Sequence, residues 1–357
     1  AGLTYENVLK VLDGEQCDKW CERIYNTNGR YKYIDAYKGG VNNLFMLQGN
    51  RKSHRHWWLK SRFDLYDSIF ASGEFGSKVI SFKVNDATGS FSITAGRDLN
   101  YGWGINKIPI KTDEHLEYGQ SVTWTTPRQL AIGDPVYIYT APNVMSVDLS
   151  TIARLENLDL NGCVDNQGNT SLKRLILGPA TGTDSNNRLQ TSGFSGLEKC
   201  VALEEINIRN FTALTTLNIK DLKNLNKFYS DGSGIVTFEP AAGCKFSALQ
   251  LPLSLQNLIL NNITINNTTY VPNQNLKNVI LNNVEGINTY DFITNWVRSY
   301  GESSIASLSL EATNINWVNA DVNLLIKLAE MNALHLTGYV KFASVNKEQI
   351  DQLAALY

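Results

Sequence analysis

Four residues near the N-terminus have the types and spacing that could hold a metal ion. Cys17 and Cys21 would share one face of a helix, and His54 and His56 follow further along the chain. Together they could form a Cys2His2 zinc site. A CxxxC spacing on a helix differs from the tighter pairs that structural zinc prefers. We therefore favour the interpretation that Cys17 and Cys21 are reduced thiols in the core. We therefore expect no metal and no cofactor.

The sequence contains no pattern typical of a catalytic centre. None of its four histidines lies in a nucleophile elbow, an HExxH helix or a metal-spaced cluster. Carboxylates such as Asp134 and Asp148 are isolated in sequence. The segment "TAGRDLNYGWG" has the glycines of a phosphate loop but lacks its order of strand, loop and helix. We therefore predict that the protein is not an enzyme.

Basic and aromatic residues crowd into "KSHRHWWLKSRF", which raises the question of nucleic-acid binding. Leu59, Phe63, Tyr66 and Phe70 fall on one line of a helix over residues 55–72, so its rings are expected to be buried. Stacking on single strands needs exposed rings. The net charge of -2 gives no general attraction to phosphate. A core helix is the leading interpretation, with an interface helix or a nucleic-acid contact as alternatives, and we expect no specific nucleic-acid recognition.

Composition limits the class of protein. Hydrophobic residues make up 43% of the 357 residues and charged residues 18%, which suits well-cored globular domains. No run of about 18 apolar residues occurs, so we expect no membrane segment. The five cysteines are too few and uneven for a disulfide framework and favour assembly in a reducing compartment. The chain lacks an initial Met, so we expect a processed piece of something longer.

Three regions follow one another along the chain. Residues 1–73 have helical periodicity. Residues 74–143 contain short β-branched and aromatic segments between turn residues, which predicts a small antiparallel β-sandwich or barrel. Residues 144–357 contain a repeat and intervening helical patterns, notably over Thr289–Gly301, over Asn319–Asn332 and at the C-terminus. The predicted fold class is therefore α+β and multidomain: N-terminal helices, an antiparallel β domain and an α/β solenoid.

The repeat resembles leucine-rich repeats. Segments that fit LxxLxL begin at Leu155, Leu172, Leu203, Leu214, Leu255, Leu276, Ile305 and Met331. The resemblance implies an irregular leucine-rich-repeat solenoid in which short stacked strands share one core. The family's asparagine, which ties the turn after the strand, is absent at its usual position. Cys163, Phe211, Ile263 and Val284 stand there instead.

A second resemblance covers much of the chain. Residues 39–75, followed by the β segment through residue 150, resemble the tail muzzle proteins of crAss-like bacteriophages, which close the lower end of the tail. The points of likeness are a Gly-Asn-Arg loop at residues 49–51, "WLKSRF", the "GEF" that follows the helix, and the "GDP" that starts a strand. These motifs are structural and not catalytic.

The phage resemblance implies a structural virion protein that seals the tail and opens for genome ejection. It further implies assembly in the bacterial host cytoplasm, a homo-oligomeric ring, and contacts with other virion tail proteins. The alternative is a leucine-rich-repeat surface protein or adhesin of a Bacteroidetes bacterium. The free cysteines and the missing export signal count against this alternative.

Contact residues are expected on the outer side of the repeat strands, because side chains alternate across a strand. We predict that these positions stack into one continuous protein-interaction surface. The candidates are Asn157, Asp159, Asn161, Glu205, Asn207, Arg209, Thr216, Asn218, Lys220, Asn257, Ile259, Asn261, Asn278, Ile280 and Asn282.

Overall fold

The computed structural model describes residues 78–84, 89–105, 108–126, 135–152, 154–178, 189–266, 275–286, 309–317, 322–330, 333–342 and 345–356. The chain divides into two compact units, Ala1–Ser77 and Lys78–Tyr357, and every described residue belongs to the second unit. The predicted N-terminal helices, including that over residues 55–72, therefore lie outside the described residues. So do Cys17, Cys21, His54 and His56, the four candidate zinc ligands.

The described residues form short β-strands and two α-helices, with bounds as follows. The strands are β1 (Ile80–Val84), β2 (Ser90–Ala95), β3 (Leu99–Ile105), β4 (Ile108–Leu116), β5 (Ser121–Thr125), β6 (Pro135–Ile138), β7 (Val144–Asp148), β8 (Leu155–Asp159), β9 (Arg174–Ile176), β10 (Phe194–Ser195), β11 (Glu205–Asn207), β12 (Lys227–Tyr229), β13 (Thr237–Phe238), β14 (Lys245–Phe246), β15 (Ala248–Gln250), β16 (Asn257–Asn261), β17 (Thr264–Ile265), β18 (Asn278–Asn282), β19 (Ser309–Trp317) and β20 (Leu334–Phe342). The helices are α1 (Val322–Glu330) and α2 (Lys347–Ala355).

These strands form four sheets. The six-stranded sheet has the order β10-β8-β1-β6-β3-β4, and the seven-stranded sheet has the order β15-β12-β11-β9-β7-β2-β5. A five-stranded sheet, β13-β16-β18-β19-β20, is entirely parallel, and β14 pairs with β17. The two largest sheets are mixed, because β1 and β2 pair antiparallel with their neighbours while the later strands pair in parallel.

The predicted fold class is wrong. The described residues are mostly β-strands in mixed and parallel sheets with two helices, and they do not form the predicted solenoid beside a separate antiparallel domain. Strands on both sides of the predicted boundary at residues 143 and 144 pair directly, β1 with β8 and β2 with β7. The error has a physical reason. Alternating hydrophobicity shows which side of a strand is buried, but it does not show which strand lies at each edge.

The core consists of the apolar positions of these strands. In β16, Leu258 and Leu260 are buried while the residues between and beside them are partly exposed, as expected for a strand with one covered side. Among the earlier strands, Phe91 makes edge-on contacts with Phe82 and Trp103, with ring centroids 5.4 Å apart in both pairs. Both kinds of packing hold the sheets together by removing large apolar surfaces from water.

The turns after several repeat strands place an asparagine one residue earlier than expected from the leucine-rich-repeat pattern. Asn210, Asn262 and Asn283 have left-handed φ angles of 64°, 53° and 50°. Asparagine tolerates this conformation better than most residues. The residues that follow them, Phe211, Ile263 and Val284, are buried, as is Cys163. The apolar residues that replace the family's asparagine therefore extend the core.

Some predicted segments are present and others differ. The predicted helix over Asn319–Asn332 is present as α1, with Val322, Leu325 and Leu328 buried, and the C-terminal helix is α2. The segment that starts at Leu214 forms no strand. The predicted helix over Thr289–Gly301 lies outside the described residues. No helix in the described part of the chain is long and apolar enough to cross a membrane.

Candidate protein-interaction surface

The structure places the predicted contact residues on different sheets. Asn157 and Asp159 lie on β8 of the six-stranded sheet, and Asn161 lies in the turn that follows. Glu205 and Asn207 lie on β11 of the seven-stranded sheet, immediately before Arg209.

The remaining predicted residues fall into two groups. Those on β16 and β18 share the five-stranded sheet, whereas Thr216, Asn218 and Lys220 belong to no strand. The structure therefore brings together two sets of neighbours, one on β16 and β18 and the other around β11.

We use the name amide face for the outward residues of β16 and β18, namely Asn257, Ile259, Asn261, Asn278, Ile280 and Asn282. These residues are directly opposite one another in pairs across the two parallel strands. Asn278 donates from Nδ2 to Oδ1 of Asn257 over 2.6 Å, and Asn257 donates from Nδ2 to Oγ1 of Thr237 over 3.0 Å. These two hydrogen bonds orient the amides of Asn257 and Asn278 before any partner arrives.

The middle of the amide face is apolar. Ile259 lies directly opposite Ile280, and both side chains are only partly buried although they point away from the core. Beyond Ile280, the next strand places the exposed carboxylate of Glu311 in the same row. An apolar centre with a surround of organised polar groups is the anatomy of a protein–protein contact.

We use the name charged face for the outward residues around β11, namely Arg174, Glu205, Arg209, Lys227, Tyr229 and Asp231. Glu205 Oε2 lies 3.1 Å from Nε of Arg174 and 3.8 Å from Nζ of Lys227, on the two neighbouring strands. Arg209 donates from Nε to Oδ1 of Asp231 over 2.7 Å, and its guanidinium lies 4.6 Å from the centroid of the Tyr229 ring. The charges on this face are therefore largely paired with one another.

Asn207 points outward from β11 as predicted but is not accessible. Only 6% of its surface is exposed, because Ile176 and Tyr229 lie beside it on the neighbouring strands. Its Oδ1 accepts the N–H of Arg209 over 3.2 Å. The geometry assigns Asn207 to holding the chain at the end of β11 and leaves it little surface for a partner.

A polar cluster at the edge of the six-stranded sheet combines a hydroxyl, a carboxylate and an amine. Ser195 donates from Oγ to Oδ1 of Asp159 over 2.9 Å, and Asn161 donates from Nδ2 to the same oxygen over 2.7 Å. Lys199 donates from Nζ to Oδ1 of Asn161 over 2.6 Å. Lys199 therefore bonds to the amide of Asn161 and not to the hydroxyl of Ser195. The hydrogen bonds of this cluster link β8 and the turn after it to β10.

The described cysteines are buried thiols. Cys163, Cys200 and Cys244 are free and buried, whereas Cys17 and Cys21, for which reduced core thiols were predicted, lie outside the described residues. Burial raises the pKa of Cys163 and raises that of Cys244 to about 11. Such thiols are poor nucleophiles near neutral pH. Within the described part of the chain, no group of His, Cys, Asp or Glu is placed to hold a metal ion.

A cleft that the sequence did not predict lies between β10 and the segment 214–220. It has a volume of about 500 Å³. Phe194, Leu197 and Leu217 form its apolar lining, and Thr216, Asn218, Glu198 and Lys220 are among its polar residues. No sequence signal announced it, because "LTTLNI" at Leu214 fits LxxLxL as the other segments do.

Comparison of the sequence with protein-family models and with curated proteins found no match in either case. The resemblances to leucine-rich repeats and to phage tail muzzle proteins therefore receive no support from these comparisons.

Proposed function

We propose that the chain is a structural component of a bacteriophage virion, in a protein resembling the tail muzzle of crAss-like phages. In this proposal it closes the tail, contacts other tail proteins, forms a homo-oligomeric ring and opens for genome ejection. The amide face is the observation that supports this proposal most directly. It presents the Ile259–Ile280 pair among pre-oriented amides, a composition that suits contact with another protein.

The apolar pair indicates where such a contact would gain most of its energy. Covering the two isoleucines removes apolar surface from water at about 25 cal/mol per Å². The amides of Asn257 and Asn278 are already hydrogen-bonded, so little of their conformational entropy is lost when a partner covers them. Covering the charged face would contribute less binding free energy, because Glu205 and Arg209 are already paired and removing these pairs from water would cost free energy.

A substitution on the amide face tests the proposed assembly role. Ile280→Arg would place an unpaired charge in the contact, so we expect particles that lack closed tails and at least a tenfold loss of infectivity. Ile176→Arg is the matched control, because Ile176 also points outward and is partly buried, but lies on β9 of the seven-stranded sheet. Thermal unfolding of both purified variants separates assembly defects from misfolding.

Two results would contradict the proposal at different levels. Normal particle yield and infectivity with Ile280→Arg would place the contact elsewhere on the chain. Peptide mapping of purified virions that fails to find the chain, together with its recovery from host membrane fractions, would reject the virion role and favour the bacterial surface protein.

A further inference from the structure

The cleft between β10 and the segment 214–220 exists because one threonine joins its two walls at one end. Oγ1 of Thr191 accepts the N–H of Thr216 over 3.2 Å and lies 3.3 Å from the hydroxyl of Thr215. Beyond this point, no main-chain hydrogen bond between described residues joins 194–196 to 216–218. The side chain of Thr191 thus replaces the main-chain hydrogen bonds that join neighbouring strands elsewhere. The two walls of the cleft therefore do not pair.

The wall formed by β10 is an open sheet edge. β10 pairs in parallel with β8 through Phe194 and Ser195, and it is the last strand of the six-stranded sheet. The carbonyl oxygen of Ser195 accepts the N–H of Leu160 over 2.9 Å on the β8 side. Alternate residues of a strand direct their main-chain groups to opposite edges, so those of Phe194 and Gly196 point away from β8. The N–H of Phe194 bonds to the carbonyl of Thr191, and the carbonyl of Gly196 accepts the N–H of Lys199. The Phe194 carbonyl and the Gly196 N–H are the groups directed towards the cleft. An open edge of this kind can pair with another extended chain.

Two apolar side chains along the cleft are incompletely covered. Phe194 lies opposite the buried Leu158 in the sheet, and Leu217 is an apolar position of the LxxLxL segment at Leu214, yet both remain partly exposed. At the corresponding positions of nearby strands, Leu158 is 0% and Phe238 is 1% exposed. The cleft volume of about 500 Å³ is of a size that holds a bound group, so an incoming apolar side chain would complete the packing here.

The charges at the cleft favour a cationic occupant. Lys220 is neutralised by Glu239, with Nζ and Oε2 2.6 Å apart. Lys199 is turned away towards Asn161. Glu198, which lines the cleft, has no ion-pair partner among the described residues. The remaining field is therefore negative on the side of Glu198.

We propose that this cleft binds an extended peptide segment of another protein. The segment adds a strand against the free edge of β10, buries one aliphatic or aromatic side chain between Phe194 and Leu217, and sets a lysine or arginine beside Glu198. Main-chain pairing supplies affinity and the two side-chain positions supply selectivity, as in other cases of strand addition. The inference goes beyond the proposed function, because the cleft is separate from the amide face and its occupant need not be a tail protein.

Selection from a library of random linear heptapeptides, displayed on filamentous phage, against the purified chain tests this inference. We expect enriched peptides that combine one large apolar residue with a nearby Lys or Arg. Enriched peptides are then synthesised with a fluorescent label, and their Kd is measured by fluorescence polarisation. Glu198→Gln should weaken binding about tenfold, since it removes the negative charge that strengthens the hydrogen bond to the incoming Lys or Arg. Leu217→Asn should weaken it at least as much.

Glu348→Gln is the matched control, because Glu348 is an exposed carboxylate on α2, away from the residues that line the cleft. It should leave the Kd unchanged. Failure to enrich any peptide, enrichment of acidic peptides, or a Kd that Glu198→Gln leaves unaltered would each overturn the inference. The measurement uses purified protein without virions, so its outcome does not depend on whether the chain belongs to a phage tail.

Discussion

Phe228 on the seven-stranded sheet packs against Phe238 on the five-stranded sheet, with ring centroids 4.9 Å apart. Phe238 in turn lies 5.9 Å from Phe246 on β14 of the two-stranded sheet. All three side chains are at most 1% exposed. One aromatic row therefore joins three sheets that share no strand pairing, and its middle member, Phe238, contacts both others.

Removing the middle ring should destabilise the whole second unit. Phe238→Ala is expected to lower the free energy of unfolding by about 3–5 kcal/mol, because it removes buried apolar surface and leaves a cavity. Urea unfolding followed by circular dichroism measures the change. Phe238→Leu, which keeps much of the volume, should lose clearly less. A loss below about 1 kcal/mol for the alanine variant would show that the sheets are held together elsewhere.

The contribution of Arg209 to stability depends on the shape of its guanidinium group. It bonds to Asp231 through Nε and to Gln250 through Nη2 while stacking over Tyr229. Lysine keeps the charge but provides neither the planar fork nor the stacking. Arg209→Lys is therefore expected to cost about 1 kcal/mol of stability in urea unfolding. The control is Arg174→Lys, where a single exposed pair with Glu205 should contribute about 0.5 kcal/mol or less. Equal losses would contradict the assigned role of the fork.

The left-handed turn at Asn283 separates a backbone effect from a side-chain effect. Its φ is 50°, and its Nδ2 donates to Oδ1 of Asn262 over 2.8 Å. Asn283→Ala imposes the left-handed conformation on an ordinary residue, at about 1–2 kcal/mol, and also removes the amide bond. Asn283→Gly relaxes the backbone and removes only the amide bond, so its unfolding midpoint should lie between those of the alanine variant and the native chain. An alanine variant as stable as the glycine variant would contradict this account.

The sequence predicted which side of each strand is buried better than it predicted which strands pair with one another. Leu158, Leu175, Ile206 and Leu258 are buried at the positions that LxxLxL assigns to the core. The pattern did not reveal that β11 and β16 belong to different sheets, because alternation carries no information about strand edges. For the same reason it merged residues of different sheets into one surface.

Two strands escaped the LxxLxL pattern because the third of their core positions is not apolar. β12 and β13 centre on Phe228 and Phe238, in "LNKFYS" and "IVTFEP". The first two core positions of each segment are apolar, but Ser230 and Pro240 stand at the third, so neither segment fits LxxLxL. By contrast, "LTTLNI" fits the pattern but forms no strand, because the Thr191 hydroxyl binds the N–H of Thr216 in place of a strand neighbour. That contact lies between residues distant in sequence, so no local pattern could predict it.

Tyr139 should make the stability of the protein depend on pH in the alkaline range. Its side chain is 2% exposed, and burial, with a smaller contribution from Tyr137, raises its pKa to about 12. In the unfolded chain the pKa of tyrosine is about 10. Below about pH 10 both states hold the phenolic proton, so the contribution is fully present. Between about pH 10 and 12 the unfolded state releases the proton first, and stability falls as pH rises.

The Tyr139→Phe variant isolates this contribution from the other tyrosines of the chain. Free energies of unfolding in urea, measured from about pH 9 to about pH 11.5 for native and variant protein, give two curves whose difference belongs to Tyr139. The difference should be constant up to about pH 10 and should then change in favour of the phenylalanine variant, because phenylalanine has no proton to lose. Parallel curves across the whole range would mean that the folded and unfolded states ionise Tyr139 equally. Burial would then not govern its ionisation.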